Sequence, residues 1–377
     1  MKKIYCDLQN MKAQKTGLGF YTENLFKGLL QNKKNYYKGI LYGKYTKKIN
    51  QLKQEFEGNI IYRMLPYYSN LKIKNKIFWK IFPFKINIFF KDKIDIYHCF
   101  HIAIPLKSSS KIIVTVHDII PILYPELTSE KIESKKYLKI LKESCNRADI
   151  IVTVSEYSKN DIIRYLGVDS KKIRIVSPGI ELEEYEKVKE EEIKKIKEKY
   201  KLNERFILFL GTLEPKKNII NIIKGFERAN LKNIKLVIAG GKGWKYDKIF
   251  ETYENSLYKD KIQILDYINE EDKIALYKQA KLFIFPSLYE GFGMPVLEAM
   301  AAGTPVITSN ISSLPEVTGN AALLVNPHDI DEIAKAIEEV MSNKKLEEEM
   351  IREGLEQAKK FTWKNSVKKL EKIYSEL

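Results

Sequence analysis

Short apolar runs recur along the chain, separated by longer stretches of helical period. In the first half they are KIYCDL (3–8), IDIYH (94–98), KIIVTVH (111–117), DIIVTVS (149–155) and KIRIVS (172–177). In the second half they are FILFLG (206–211), KLVIAG (235–240), KIQIL (261–265), KLFIFP (281–286), TPVITS (304–309) and AALLV (321–325). These runs are rich in β-branched residues and alternate little with polar ones. That is the pattern of parallel strands buried on both faces. With helices between them, right-handed βαβ units follow, and the expected fold is α/β with two doubly wound parallel sheets. A Lys/Glu-rich stretch, EKVKEEEIKKIKEKYKLNE, follows SPGIELEEY and precedes a fresh strand. It sets a boundary within 179–205 and an expected division into 1–180, 181–360 and a terminal segment, 361–377. That last segment is an amphipathic helix with Trp363, Val367, Leu370 and Ile373 on one face. Two such halves in tandem leave a cleft between them, and open α/β sheets bind ligands at the carboxyl ends of their strands.

Charge divides as the domains do. Residues 1–180 hold 33 Lys/Arg and 15 Asp/Glu, against 32 and 34 in the remainder, so the whole excess of +16 sits in the first half. A basic half suits an anionic partner such as a membrane face or an acidic glycan, and equally a solvated, compositionally skewed surface. The stretch 71–93 interleaves 7 lysines with 6 aromatics, which fits either an anionic membrane interface or helices packed on the sheet with snorkelling lysines. No nucleic-acid-binding module is visible. The three cysteines, Cys6, Cys99 and Cys145, lack metal-site spacing and read as small buried hydrophobes. Neither a signal peptide nor an 18-residue apolar span is present, so a cytoplasmic protein is expected, with the inner face of the membrane as a further possibility.

The strongest chemical signal is PSLYEGFGMPVLEAMAAGTPVI, 286–307. A strand ends at Pro286, and a helix opens at Met294–Pro295, where proline suits the first turn. Gly291 and Gly293 allow a ligand to approach the backbone, and the free N–H groups of the helix start attract phosphate or sugar hydroxyls. Glu290 and Glu298 flank these donors, an arrangement suited to a polyhydroxylated anion. The block GTLEPKKN brings Lys216 and Lys217 to another strand end as point charges for a diphosphate. Gly17 and Gly19 follow the first strand. His117 and Asp118 close the third run, at a carboxyl end facing the cleft. His98 and His101 lack a carboxylate cluster that would complete a metal site and read as acceptor-cleft or structural residues. Ser155 reads as a helix N-cap with Ser158 three residues on. No Asp-x-Asp motif lies in a loop where it could hold a metal, so none is assigned, and no cofactor either.

Taken together, these strings resemble the signature of the family-four retaining glycosyltransferases. TGLGFYTENL (16–25), VTVHDIIPILYPE (114–126), VTVSEYSKNDI (152–162), FLGTLEPKKNI (209–219), IAGGKGW (238–244) and SSLPEVTGNAALLVNP (312–327) resemble that family's blocks, in its order, over most of the chain. Within that family the blocks resemble those of the bacterial mannosyltransferase-like enzymes that use GDP-mannose. The resemblance implies two facing Rossmann-like domains (the GT-B arrangement). The first would bind a glycan or lipid-linked acceptor, the second the sugar nucleotide, GDP-mannose or a UDP-hexose. The last helix would cross back to the first domain. It further implies that Glu290 touches the donor hexose and Glu298 the ribose. The backbone of Gly291, Phe292, Gly293 and Met294 would meet sugar and diphosphate, with Lys217 on the diphosphate. Gly17 and Gly19 would face it from the first domain, and His117–Asp118 would lie beside the donor sugar. Gly211 and Thr212 open the lysine loop; the family carries arginine where Thr212 stands, and Lys216 is the residue that could restore that charge. The implied reaction is metal-independent and retaining. A sugar-nucleotide epimerase of the same fold and a non-catalytic basic binding protein remain as alternatives.

Overall fold

The computed structural model describes residues 1–12, 17–32, 34–42, 46–63, 93–102, 109–130, 132–203 and 205–377. Apart from Lys93, the basic and aromatic stretch 71–93 lies outside them.

Two parallel sheets carry the chain. The first runs β3-β2-β1-β4-β5-β6-β7, built from Lys3–Asp7 (β1), Tyr36–Tyr42 (β2), Ile60–Arg63 (β3), Ile96–Cys99 (β4), Lys111–Thr115 (β5), Ile150–Thr153 (β6) and Ile173–Ile175 (β7). The second runs β10-β9-β8-β11-β12-β13, built from Arg205–Leu210 (β8), Ile234–Ala239 (β9), Ile262–Leu265 (β10), Leu282–Phe285 (β11), Val306–Ser309 (β12) and Leu323–Val325 (β13). In each sheet the order reverses once, between β1 and β4 and between β8 and β11. The loops that leave the carboxyl ends of those strands splay apart and open a crevice.

All eleven apolar runs become strands, and the first sheet gains two more, β2 and β3. The reason is local. In β2, Lys38 and Gly39 interrupt the apolar run, and β3 is a short edge strand with Ile60, Ile61 and Tyr62 only half buried. Burial drives the rest. Ile207, Leu208, Phe209, Phe283, Ile284 and Phe285 are fully inaccessible, as expected for strands covered on both faces by helices. Cys6, Cys99 and Cys145 are free and buried.

Helix Trp363–Glu376 lies against elements of the first sheet. Thr362 caps it by accepting the Asn365 N–H, and Trp363, Val367, Leu370 and Ile373 are all buried. Ser366 Oγ donates to the Ser177 carbonyl at 2.6 Å, and Tyr374 Oη lies 2.8 Å from His98 Nδ1. Among the described residues no helix is long and apolar enough to cross a membrane.

Candidate active site

The loops leaving β8 and β11, at the reversal of the second sheet, hold the chemistry. After β8, a short 3-10 turn, Pro215–Lys217, ends at Asn218 in the left-handed region, φ 59°. The Asn218 amide donates to the carbonyls of Pro286 (3.0 Å) and Pro327 (2.7 Å), and Leu288 N–H donates to the Lys216 carbonyl at 2.9 Å. The two loops are thereby tied together. Lys217 Nζ donates to Glu290 Oε1 at 2.6 Å, while Lys216 Nζ sits 3.6 Å from Glu290 Oε2 and 3.7 Å from Glu214. Burial by itself would raise the Glu290 carboxyl, but the two ammonium groups outweigh it and hold the carboxyl below its usual range. Both of its oxygens are thus engaged by cations. Lys216 supplies a second positive charge here, and Thr212 is exposed.

Backbone geometry fixes the loop 289–293. Gly293 takes φ 111°, a conformation that penalises any side chain, and leads straight into helix Met294–Ala301 with Pro295 in its first turn. Ser313 Oγ reaches the carbonyls of Glu290 (2.9 Å) and Phe292 (2.8 Å), and Glu290 N–H donates to Ser312 Oγ. Ser312 itself is held at φ 59°, a strained setting for a non-glycine residue. The N–H groups of Gly291, Phe292 and Gly293 find no hydrogen-bond acceptor among the described residues, although all three residues are buried. Buried N–H groups without a protein acceptor are uncommon, and here three stand in succession beside Glu290.

The first domain closes directly onto this loop. A Cβ at Gly291 would stand 2.8 Å from the His117 carbonyl and 3.2 Å from Asp118 Cβ, so only glycine permits the approach. Burial raises the Asp118 carboxyl above its usual range, against the pull of Lys216. His117 is half-buried against Tyr21, ring centroids 4.9 Å apart, and desolvation lowers its imidazole to about 4. The neutral ring donates from Nε2 to the Phe100 carbonyl at 3.2 Å, which leaves Nδ1 as an acceptor. His98 is fully enclosed between Thr115 Oγ1 and Tyr374 Oη, both at 2.8 Å, and packs the sheet rather than lining the cleft. His101 Nδ1 and Gln9 Nε2 are buried without a hydrogen-bond partner beside Asp7, at the reversal of the first sheet.

Glu298 occupies a separate compartment. It accepts from Lys273 Nζ at 2.6 Å and from Tyr277 Oη at 2.9 Å, and shares no partner with Glu290. A cavity of about 260 Å³ opens beside it, lined by Glu298, Met294 and Lys273 from one side and by Phe20, Asn24 and Trp363 from the other. Phe20 and Asn24 lie on helix Gly17–Gln31, whose first turn holds the exposed Gly17 and the buried Gly19. Gly211 packs under the neighbouring loop, where a Cβ at Gly240 would collide with the Gly211 carbonyl. Sequence reasoning did not single out Lys273, Tyr277, Asn218, Ser312 or Ser313. Asn218 and the two serines stand inside blocks already noted, which was their available signal; Lys273 and Tyr277 have none. Among the described residues, no group of three or more His, Cys, Asp or Glu is placed to hold a metal ion.

The family model "Glycosyl transferases group 1" matches residues 189–357, and "Glycosyltransferase Family 4" matches residues 46–184. The O-antigen chain mannosyltransferase B of Escherichia coli is 34% identical over 276 residues, 72% of this chain and 71% of that protein. The serotype-specific mannosyltransferase WbdA of Escherichia coli is 32% identical over 68% of this chain, which spans 32% of that longer protein. Among solved structures, Anabaena Alr3699/HepE in complex with UDP-glucose superposes with a TM-score of 0.78 at 14% identity, covering both chains completely. That likeness establishes the GT-B fold. The chain is a glycosyltransferase and belongs to the family 4, group 1 glycosyltransferases.

Proposed function

We propose that the chain is a retaining, metal-independent hexosyltransferase that moves mannose from a nucleoside diphosphate sugar to a glycan or lipid-linked acceptor in bacterial surface polysaccharide synthesis. The observation that carries the proposal is the Glu290–Lys217–Lys216 cluster at the reversal of the second sheet, flanked by three N–H groups with no acceptor among the described residues. The mannosyltransferase names of the relatives supply the choice of sugar. Residues 181–360 form the donor-binding domain, residues 1–180 receive the acceptor, and 361–377 join the two.

The site works by exchange of partners. A bound diphosphate competes with Glu290 for Lys216 and Lys217, and the N–H groups of Gly291, Phe292 and Gly293 add donors at its oxygens. Glu290, freed from one lysine and still ionised, turns to accept from hydroxyls of the sugar. His117 offers Nδ1 to another hydroxyl, and Asp118 flanks the same sugar. Glu298, held by Lys273 and Tyr277, meets the ribose in the adjoining cavity beside Met294. Positive charge from two lysines and a helix start stabilises the leaving nucleoside diphosphate. Its departure from the face that the acceptor hydroxyl attacks preserves the anomeric configuration, and the leaving phosphate takes the acceptor's proton. Glu290 serves as a binding group, since pairing of both its oxygens argues against a covalent nucleophile.

Incubation with GDP-mannose, whose sugar is α-linked, and a mannoside acceptor tests this by proton NMR of the product. An α-mannoside formed at the same rate in EDTA is expected. A β-mannoside, or a rate abolished by EDTA, contradicts retention or metal independence respectively. Turnover of the donor to an isomeric sugar nucleotide without acceptor would instead indicate an epimerase.

A further inference from the structure

Helix Glu156–Leu166 belongs to the first domain, yet its first turn grips the second. Ser155 Oγ donates to the Gly291 carbonyl at 2.7 Å. Ser158 Oγ lies 3.2 Å from that same oxygen and 3.1 Å from the His117 carbonyl. Each serine has one hydroxyl hydrogen, so Ser155 commits its own to Gly291 while Ser158 shares between one carbonyl on each side of the cleft. Ser155 Oγ also accepts the Ser158 N–H at 3.0 Å and so caps the helix. From the second domain, Glu316 accepts the Glu156 N–H at 2.9 and 3.0 Å and the Tyr157 N–H at 3.2 Å. A carboxylate at a helix start is favoured electrostatically. One turn further on, Asp161 accepts from Tyr289 Oη at 2.5 Å.

The two serine hydroxyls act on a single peptide group. No cis peptide occurs among the described residues, so a planar trans peptide turns the Phe292 N–H opposite to the Gly291 carbonyl. With that carbonyl drawn to Ser155 and Ser158, the Phe292 N–H faces away from the first domain. Gly291 has no Cβ to resist rotation of this peptide, so orientation has to come from outside the loop. Ser312 and Ser313 hold Glu290 and the Phe292 carbonyl from the second domain, but neither touches the Gly291 carbonyl.

We propose that Ser155 and Ser158 are positioning residues for the donor site: docking of helix Glu156–Leu166 turns the Gly291–Phe292 peptide so that its N–H meets the donor diphosphate. This rests on the donor site proposed above. Neither serine touches the sugar nucleotide, and Glu316 holds the helix in register while they act. Donor binding and domain docking then reinforce each other, as linkage requires.

The test is a Ser155→Ala/Ser158→Ala double variant of the full chain. Expected is a fall in kcat of about tenfold or more, the scale of losing one preorganised donor. GDP affinity by calorimetry should fall by the same factor by which the nucleotide strengthens docking, with binding kept measurable by the lysines and Glu298. Ser158→Thr, which keeps a hydroxyl, should retain the rate. A double variant with the parent's kcat overturns the proposal. A second readout needs no turnover: amide hydrogen exchange at Glu156 and Tyr157 in the parent, with and without UDP or GDP. Slower exchange with nucleotide supports the coupling, and unchanged exchange overturns it. A parent that turns over no sugar nucleotide would refute the transferase proposal alone, because the exchange measurement still reports on docking.

Discussion

Glu290 is a buried carboxylate whose two oxygens face two ammonium groups, 2.6 Å and 3.6 Å away. Removing one member of such a buried set leaves the others uncompensated, which costs roughly 3–5 kcal/mol. Glu290→Gln keeps the shape and a hydrogen-bond acceptor but not the charge. The expected outcome is a kcat lower by about a hundredfold or more, with nucleoside diphosphate binding retained because Lys216 and Lys217 are then unshared. Steady-state kinetics beside calorimetric titration check it; unchanged kcat would remove Glu290 from the chemistry. Sequence alone marked Glu290, Lys216, Lys217, His117 and Asp118, since each stands at a strand's carboxyl end within a recognisable block. It could not show that Lys217, 73 positions before Glu290, is its direct partner. Nor could it reveal that Glu298 is held by Lys273 and Tyr277, ordinary residues on a neighbouring helix that carry no motif.

At the scale of elements, the loop 289–293 is shaped by two glycines with different tasks. Gly293 sits at φ 111°, and a Cβ there would also press on Leu314 Cδ2 at 2.7 Å. Gly293→Ala should destabilise the chain by about 1–3 kcal/mol, read as a lower urea midpoint with unchanged slope. Gly291 has another purpose, since its missing Cβ lets the His117 carbonyl approach. Gly291→Ala should therefore leave the urea midpoint nearly unmoved while lowering kcat about tenfold or more, because the domains can no longer meet. Equal effects of the two substitutions on stability would contradict this division. The strands of this element pair were plain in the sequence because buried parallel strands are uninterrupted apolar runs. β2 was not, because Lys38 and Gly39 break its run. The hydroxyls of Ser155 and Ser158 were equally opaque, since an N-cap motif says nothing about a carbonyl 136 residues away.

For the whole molecule, two histidines of the first domain resist charging: His98, enclosed in the packing of the sheet, and His117, whose backbone meets the second domain. Burial lowers His98 to about 3 and His117 to about 4, both below the ordinary value of 6.5. The unfolded chain therefore binds protons that the native state refuses. Stability is complete above pH 6.5 and declines as pH falls toward 4 and below, by about 1.4 kcal/mol per unit of displacement for each histidine. Glu290, held low, loses its contribution over the carboxylate range in the same direction, and Asp118, held high, opposes it. Urea denaturation at pH 7 and pH 4.5 should show the midpoint falling; a midpoint that rises or stays level contradicts the buried neutral histidines. The two-sheet architecture was legible because repeated βαβ patterning specifies it twice. The meeting of the sheets was not, because it depends on single carbonyls and hydroxyls. Most direct for the central claim is calorimetric titration of UDP, GDP and GDP-mannose into the parent chain and Lys217→Ala. The prediction is one-to-one binding of at least one nucleotide to the parent, weakened about tenfold or more in the variant, a loss of about 1.4 kcal/mol. Absence of binding to the parent, or equal binding to both proteins, would contradict the assignment of this crevice as the donor site.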